Sequence, residues 1–141
     1  MEGFRSSFDK LWGYANVIRH GTKNLDQNGS LVLVSGAPAR KTKPGMVTLS
    51  VVGGAVENLV RAAALEMSPK RINLVSPGII DTPLFPQEGE ERENLIKNFT
   101  ANHSIKRAGT PEEVATAIIF LIENDFVNGT TVDVDGGWLL S

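Results

Sequence analysis

Few residues of this chain are of the types that carry nucleophilic, acid–base or metal chemistry. The sequence of 141 residues contains no cysteine, two histidines and one tyrosine, Tyr14. Because cysteine is absent, disulfide bonds and thiolate catalysis are excluded. His20 and His103 are far apart and lack the spacing of paired metal ligands, so the sequence predicts no metal site.

The residues of greatest chemical interest follow two short apolar runs. Ser35 ends the run Leu31–Ser35. The run Ile72–Val75 is followed by a turn and its neighbours: Pro77, Gly78, Ile80 and Thr82. Short apolar runs of this kind are typical of buried parallel strands, and ligands of open α/β sheets bind beyond the carboxyl ends of such strands. The sequence therefore predicts that the Pro-Gly turn lies at the ligand-facing corner of an open α/β sheet.

Helical patterns flank the predicted strands. Apolar residues recur at helical spacing over Ser7–Leu25 and Met46–Met67, and Ser68-Pro69 ends the second helix. Thr110-Pro111-Glu112-Glu113 is a helix start with a capping threonine. Thr131–Val134 is the last predicted strand. Because helices alternate with short apolar strands, the predicted fold class is α/β with a parallel sheet and flanking helices.

The same patterns predict burial. The first helix has one apolar face, formed by Phe8, Leu11, Trp12, Ala15, Ile18 and Thr22. In the helix after Thr110 the buried face comprises Val114, Ala117, Ile118, Leu121 and Ile122. The run Leu31–Ser35 is apolar throughout, which favours a central strand. Pro83–Ser104 is weakly patterned and contains the acidic stretch Gln87–Glu93, so that stretch is expected to be exposed.

The charge balance limits the classes of partner. Lys and Arg number 14 against 16 for Asp and Glu, which gives a net charge of -2. This leaves no electrostatic footprint for nucleic acid or an anionic membrane. Met1–Lys10 has no apolar signal core and no run approaches membrane-spanning length, so a cytoplasmic protein is expected. The basic group Arg40, Lys41 and Lys43 either holds an anionic substrate or cofactor phosphate, or is a solvated loop.

Four collinear segments have the order and spacing of a known family. Asn73–Thr82, which reads NLVSPGIIDT, resembles the segment after the sixth strand of the short-chain dehydrogenase/reductase family. Gly29–Ser35 resembles the fifth strand, Arg107–Val114 the loop opening the last long helix, and Asn128–Gly137 the closing strand and turn. The resemblance implies the C-terminal portion of a doubly wound, Rossmann-like parallel sheet with flanking helices.

The resemblance also implies that half of the fold is absent. The Gly-rich phosphate turn belongs to the first half of a dinucleotide-binding sheet, and this sequence has no G-x-G-x-x-G motif. Residues 1–141 are therefore expected to be a single partial domain that lacks the N-terminal dinucleotide-binding half. Such a chain is either a truncated product or part of a longer protein.

Members of the family transfer hydride between NAD or NADP and a carbonyl or alcohol. The resemblance assigns Pro77, Gly78 and Ile80 backbone contacts near the nicotinamide carboxamide, and the Thr82 hydroxyl a contact to the carboxamide or pyrophosphate. The alternative is that Pro-Gly only turns the chain. The Pro83–Ser104 region corresponds to the part that covers substrate in relatives, so it is either a mobile lid or a plain surface insertion.

The family's catalytic set is incomplete in this sequence. The positions of its serine, tyrosine and lysine are occupied by Gly36, Leu49 and Gly53, and the asparagine position by Lys10. Leu49 and Gly53 cannot titrate, so the proton donor and its activator are lost. Ser35, which neighbours the serine position, is the one catalytic candidate that remains; water or a residue of the missing half are the other sources of a proton.

Two hypotheses follow. The first is an atypical NAD(P)-dependent oxidoreductase whose hydride transfer is impaired or absent in this chain. The second is a non-catalytic module that dimerises or acts as a scaffold. In the family, the helices corresponding to Ser7–Leu25 and Met46–Met67 pack against their copies in a second subunit, which implies a homo-oligomer with a small-molecule substrate if the protein is active.

Overall fold

The structure, a computed structural model, describes residues 2–141. Met1, the first residue of the Met1–Lys10 segment that lacks an apolar signal core, lies outside the described residues. The long helices and the strands alternate as the sequence predicts. The helices are α1 Glu2–Asn16, α2 Val47–Glu66, α3 Gly89–Thr100 and α4 Pro111–Glu123. The strands are β1 Ser30–Val34, β2 Arg71–Pro77 and β3 Thr131–Val134. The prediction of an α/β fold is confirmed.

The three strands form one parallel sheet in the order β1-β2-β3. Leu33 of β1 is in register with Leu74 of β2, and Val75 of β2 with Val132 of β3. The side chains of β2 are buried from Arg71 to Ser76. Since both neighbours of β2 run in its direction, the carboxyl ends of all three strands meet at one edge of the sheet.

Helices cover both faces of the sheet. On one face, Leu33, Ile72 and Leu74 form a core with an apolar stripe of α2 that includes Val56 and Val60, and α1 packs partly buried side chains against it. On the other face α4 contributes Leu121, which is fully buried. The Arg71 guanidinium donates to the carbonyls of Leu121 and Ile122 at 2.8 Å each, so a buried cation neutralises the carboxyl end of α4.

Local signals fix the ends of two helices. α2 ends at Glu66, just before Ser68-Pro69, because proline has no amide for another turn. At the start of α4, the Thr110 hydroxyl accepts from the Glu113 amide at 3.3 Å, and the Glu113 carboxylate accepts from the Thr110 amide at 2.8 Å. This reciprocal capping box is the one that the sequence predicts.

Several sequence-based expectations are wrong. α1 begins at Glu2 rather than near Ser7 and continues as a π-helical turn and a 3₁₀ turn to Asn24. Trp12 is 63% exposed and Ile122 49% exposed, because each lies outside the arc of its helix that faces the sheet. β1 has a strand partner on one side only among the described residues, so it is an edge strand here. An apolar run alone does not separate the edge of an open sheet from its centre.

Two further features depart from expectation. The weakly patterned region contains the twelve-residue helix α3. α2 is long and apolar enough by composition to cross a membrane, contrary to the expectation from the sequence. Its side chains at Val52, Val56 and Val60 are buried in the core, which is the arrangement of a core helix in a globular domain.

Candidate functional site

An open cleft of about 870 Å³ lies beyond the carboxyl ends of β1 and β2. Its walls come from the helices α1 and α2, the strand ends, the segment after β2 and the C-terminal turn. The residues lining it include Lys10, Ser35, Gly36, Lys43, Leu49, Gly53, Pro77, Gly78, Ile80, Thr82, Phe85, Phe99 and Trp138. The cleft therefore collects Ser35 and the four residues of the turn after β2 that the resemblance assigned to cofactor contact.

Ser35 and Gly53 meet at the base of the cleft. The Ser35 amide donates to the Val75 carbonyl at 2.9 Å, which continues the β1–β2 ladder. The Ser35 hydroxyl lies 3.5 Å from the Gly53 carbonyl, a long hydrogen bond that leaves it accessible to a ligand. A Cβ at Gly53 would lie 2.7 Å from the Ala39 Cβ and 3.1 Å from its Cα. The site of the expected lysine is therefore filled by the loop that follows β1.

In the turn after β2, one residue has neither its amide nor its carbonyl in a hydrogen bond to the described residues. The Gly78 amide donates to the Val134 carbonyl at 3.0 Å, and the Gly109 amide donates to the Ile79 carbonyl at 2.9 Å. Asp81 closes the same bridge by donating to the Gly109 carbonyl at 2.9 Å. Among the described residues, the amide and carbonyl of Ile80 have no hydrogen-bond partner. Ile80, which lines the cleft, thus has one donor and one acceptor free for a ligand.

Gly78 has a packing reason to be glycine. A Cβ there would lie 2.7 Å from the Asp135 Cα and 3.0 Å from its carbonyl oxygen. The turn after β3 therefore presses directly on the end of β2. That turn uses the left-handed backbone of Gly136 and Gly137, with φ of 62° and 78°. The Asp135 carboxylate accepts from the amides of Gly137 and Leu139 at 2.9 Å each.

The segment between β2 and α3 is organised by Arg92, which sequence reasoning did not single out. Its guanidinium forms an ion pair with Asp81 and donates to the Thr82 carbonyl at 2.9 Å and to the Phe85 carbonyl. Phe85 and Phe99 contact with ring centroids 6.1 Å apart, so α3 and the segment before it form one apolar wall. The signal that could have identified Arg92 is that it is the one cationic residue of the acidic stretch Gln87–Glu93.

Trp138 also belongs to the cleft wall, and two further side chains contact its ring. Its buried ring stacks on His103 with centroids 5.6 Å apart, and the Lys43 ammonium lies 5.9 Å from the centre of the Trp138 ring. His103 is buried, and desolvation lowers its pKa below the ordinary range, against the opposing effect of Asp135. The sequence assigned Trp138 to packing, and the structure adds that it lines the cleft.

The basic group of the loop after β1 divides into different roles. Arg40 donates to the Glu57 carboxylate at 3.0 Å and pairs with Asp133, which joins the loop to α2 and β3. Lys41 donates to the Trp138 carbonyl at 2.9 Å. Of the three cations only Lys43 lines the cleft. Arg40 and Lys41 therefore hold the loop in place. The sequence had offered only an anion-binding group or a solvated loop.

Tyr14 does not supply the missing catalytic tyrosine. Its hydroxyl donates to the Val34 carbonyl at 2.7 Å on the edge of β1, and it is not among the residues lining the cleft. Leu49, to which the resemblance assigns the family's tyrosine position, lines the cleft with an aliphatic side chain. No cluster of three His, Asp or Glu side chains suited to a metal occurs in the described part of the chain.

Comparison with known proteins identifies the family. A sequence model of the family described as Enoyl-(Acyl carrier protein) reductase matches residues 2–139. Short-chain dehydrogenase/reductase ATR9 of Stachybotrys chlorohalonatus is 34% identical over 117 residues, which are 83% of this chain and 46% of that protein. The chain belongs to the short-chain dehydrogenase/reductase family. Its three-stranded sheet is accordingly part of a Rossmann-like parallel sheet.

Two further short-chain dehydrogenases/reductases show how much is shared. NADPH-dependent aldehyde reductase 1, chloroplastic, of Arabidopsis thaliana is 32% identical over 132 residues, covering 90% of this chain and 45% of that protein. The crystal structure of a small-chain dehydrogenase in complex with NADPH superposes with a TM-score of 0.91 at 31% identity, covering 98% of this chain and 64% of that one. The chain thus spans about half the length of the relatives that it matches.

Proposed function

We propose that the cleft is the nicotinamide and substrate end of an NAD(P)-dependent oxidoreductase site that acts on a carbonyl or alcohol. The observation that carries the proposal is the unpaired amide and carbonyl of Ile80, which lies in the segment after β2 and lines the same apolar cleft as Ser35. Ligands of open α/β sheets bind at this edge. A solved relative is described as a complex with NADPH, which supports the cofactor class.

The described residues fit a nicotinamide. Its carboxamide has one carbonyl acceptor and two N–H donors, which complement the Ile80 amide and carbonyl. Thr82 places a hydroxyl in the same cleft, and that hydroxyl has no hydrogen bond to another described residue. Pro77 and Gly78 hold the turn against the end of β3 through the packing of Gly78 on Asp135. The bound nicotinamide would supply or accept the hydride.

We infer that hydride transfer is impaired, because none of the described residues lining the cleft is a tyrosine and the family's tyrosine–lysine pair is therefore absent from it. As hydride reaches a carbonyl, charge develops on its oxygen and must be neutralised. Leu49 and Gly53 offer no proton, and Ser35 is the hydroxyl nearest their place in the cleft. A neutral serine without a base beside it is a poor acid at neutral pH. We therefore assign Ser35 a hydrogen bond to the substrate oxygen rather than full acid catalysis.

A second candidate function is a non-catalytic association module. Apolar side chains are exposed along the outer surface of the two long helices, among them Trp12, Val51 and Leu65. Burial of these side chains against a second copy would favour a homodimer through α1 and α2. The two functions are compatible, because the cleft opens at the strand ends rather than on that helical surface.

The test is a calorimetric titration of the purified chain with two halves of the cofactor. We expect reduced nicotinamide mononucleotide to bind with an affinity of about 1 mM or better, and adenosine monophosphate to bind far more weakly. Thr82→Val removes the hydroxyl and is expected to weaken nicotinamide mononucleotide binding by roughly threefold to tenfold.

The matched control is Thr42→Val, since Thr42 is exposed and is not among the residues lining the cleft. It is expected to leave both titrations unchanged. Equal binding of the two cofactor halves, or no response to the nicotinamide half, would refute the cofactor assignment and leave the association module as the better account.

A further inference from the structure

The charged side chains that line the cleft are all cationic. Among the described residues, Lys10 from α1 and Lys43 from the loop after β1 contribute to its surface, and no aspartate or glutamate does. The rest of the wall is largely apolar, with Leu49, Phe85 and Phe99 as large members. A cavity of this composition complements a ligand with an apolar body and one negative group.

Lys10 is held beside the end of β1 by a short series of contacts. Its ammonium lies 5.8 Å from the centre of the Tyr14 ring, one helical turn along α1. The Tyr14 hydroxyl donates to the Val34 carbonyl at 2.7 Å, and Val34 precedes Ser35. The ring therefore anchors α1 to β1 and fixes the region from which Lys10 reaches the cleft.

The Lys10 ammonium is available to an incoming anion. No ion pair in the described part of the chain involves Lys10, whereas Arg40, Arg71, Arg92 and Arg107 are each paired with a carboxylate. The side chain exposes much of its surface to the open cleft. Partial desolvation by the surrounding protein nevertheless lowers its pKa below the ordinary range. An unpaired cation that has lost part of its hydration gains when an anion replaces that water.

Lys43 is less suited to this role. Its ammonium lies 5.9 Å from the centre of the Trp138 ring, so it reaches the cleft beside the C-terminal turn. Lys10 has the same kind of contact with Tyr14, but it comes from the α1 wall, at the Ser35 end of the cleft. Lys10 therefore lines the cleft from the part of α1 that Tyr14 joins to the end of β1, next in sequence to Ser35.

We propose that Lys10 is an anion-binding residue of the cleft and that the ligand is a small apolar molecule whose carboxylate, or whose oxygen bearing negative charge, it receives. The inference rests on the proposed function only for the placing of substrate in this cleft. In this proposal the Lys10 ammonium stabilises negative charge on the ligand oxygen, which the uncharged Leu49 and Gly53 cannot do. A nucleotide phosphate has the same anionic oxygen chemistry, so the test includes a phosphate arm.

The experiment compares a charged probe with a neutral one of the same shape. In a Trp12→Phe background, Trp138 is the remaining tryptophan and its fluorescence reports on the cleft. The chain is titrated at low salt with octanoate, with octanamide and with inorganic pyrophosphate. Lys10→Met is expected to weaken octanoate binding by about fivefold to tenfold and to leave octanamide binding unchanged. Lys10→Arg is expected to restore octanoate binding to within about threefold.

Lys23→Met is the matched control, because Lys23 is exposed and is not among the residues lining the cleft. It is expected to leave all titrations unchanged. An unaltered octanoate affinity in Lys10→Met, an equal loss for octanamide, or no binding of octanoate by the starting chain would overturn the proposal. A Lys10-dependent response to pyrophosphate alone would overturn the assignment to a substrate.

The outcome is separable from that of the proposed function. Failure to bind reduced nicotinamide mononucleotide, with Lys10-dependent octanoate binding intact, would refute the oxidoreductase assignment and leave the anion site standing. Nicotinamide binding with no effect of Lys10→Met on octanoate would refute the anion site alone.

Discussion

Gly53 is buried where the loop after β1 crosses helix α2. The Ala39 Cβ would lie 2.7 Å from a Cβ at residue 53, a separation that real Cβ atoms essentially never show. Arg40 holds that loop in place through Glu57 and Asp133. The resemblance assigns the family's lysine position to residue 53, and the structure adds that Ala39 packs against this position. Restoring the lysine would require the loop to move.

We predict opposite effects for two adjacent glycines of α2. Gly53→Ala should destabilise the fold by about 1–3 kcal/mol, because the added methyl overpacks against Ala39. Gly54→Ala should stabilise it by about 0.5–1 kcal/mol, because a Cβ at Gly54 meets no atom within 4 Å and alanine favours a helix. Urea unfolding followed by circular dichroism measures both changes.

The pair is its own control, since both substitutions add the same methyl group to the same helix. Equal stabilisation by the two would show that Ala39 does not occupy the lysine site. In that case a Leu49→Tyr, Gly53→Lys double variant would be sterically permitted. Even then, we expect no NADPH-dependent carbonyl reduction by the 141-residue chain, which has no G-x-G-x-x-G motif for the pyrophosphate.

At this scale the sequence could show which residue types occupy the family positions, but not their contacts. It placed the Pro77–Thr82 turn at a ligand-facing corner, and the resemblance placed Ser35 next to the serine position; the structure brings them into one cleft. It could not show that Ala39 packs on Gly53 or that Lys10 faces the cleft. Both depend on how a loop and a helix approach each other across long separations in sequence.

Among the elements, α4 has the most completely determined start. Besides the capping box, the Arg107 guanidinium donates to the two carboxylate oxygens of Glu113 at 2.9 and 2.6 Å. The Arg107 hydrogen bonds and the Thr110 amide lower the pKa of Glu113 to about 2. The carboxylate therefore binds protons less readily in the folded chain than in the unfolded chain.

This shift sets the sign of a pH dependence. A lowered pKa in the folded state stabilises the fold above the ordinary value of 4.5, and that contribution is lost as the pH falls from there towards about 2. We expect Glu113→Gln to lower the melting temperature at a pH of about 6, with the difference from the starting chain shrinking at a pH of about 3. Thermal melts in matched buffers measure it.

Glu112→Gln is the matched control for that experiment, because Glu112 lies in the same first turn and forms no ion pair among the described residues. It should have little effect at either pH. A loss of stability in Glu113→Gln that is the same at both pH values would mean that the carboxylate charge does not stabilise the start of α4.

The predictability of each element follows from how local its signals are. α2, α4 and β3 were predicted to within about two residues because proline, the capping box and apolar periodicity act within a few positions. α3 was missed, since its sequence is mostly polar and it packs through few side chains such as Phe99. The ordering of the segment before α3 depends on Arg92, a long-range contact that no local pattern encodes.

On the scale of the whole molecule, two surfaces favour association. β1 is an edge strand among the described residues, and the outer surface of α1 and α2 exposes large apolar side chains. On the β1 edge, the Tyr14 hydroxyl donates to the carbonyl of Val34 and accepts from its amide. Exposed edges and apolar helix faces are both common sites of self-association.

We predict that the helical surface carries the dimer. Leu65→Lys on α2 should raise the dimer dissociation constant by roughly tenfold to a hundredfold. The reason is that it puts a charge where the leucine side chain would be buried against the second copy in the dimer. Sedimentation equilibrium measures the change. Leu84→Lys is the matched control, since Leu65 and Leu84 are both 84% exposed but Leu84 lies at the cleft. An equal effect of the two, or a chain that is monomeric at high concentration, would contradict the prediction.

The parallel sheet and its flanking helices could be predicted at this scale, because the periodicities and four family segments agree. The edge position of β1 could not, because an apolar strand looks the same whether it has one neighbour or two. The shape of the cleft depends on parts of the chain as distant as α1 and Trp138, which only the folded structure brings together.

The central claim is that the cleft beyond β1 and β2 receives the nicotinamide of NAD(P). The most direct measurement is a titration of the isotope-labelled chain with NADPH, followed by backbone amide resonances. We predict saturable shifts concentrated at Ser35, Gly36 and the Gly78–Thr82 turn, and weaker shifts in the Thr82→Val variant. Shifts confined to residues outside the cleft, or none at several millimolar NADPH, would contradict the account.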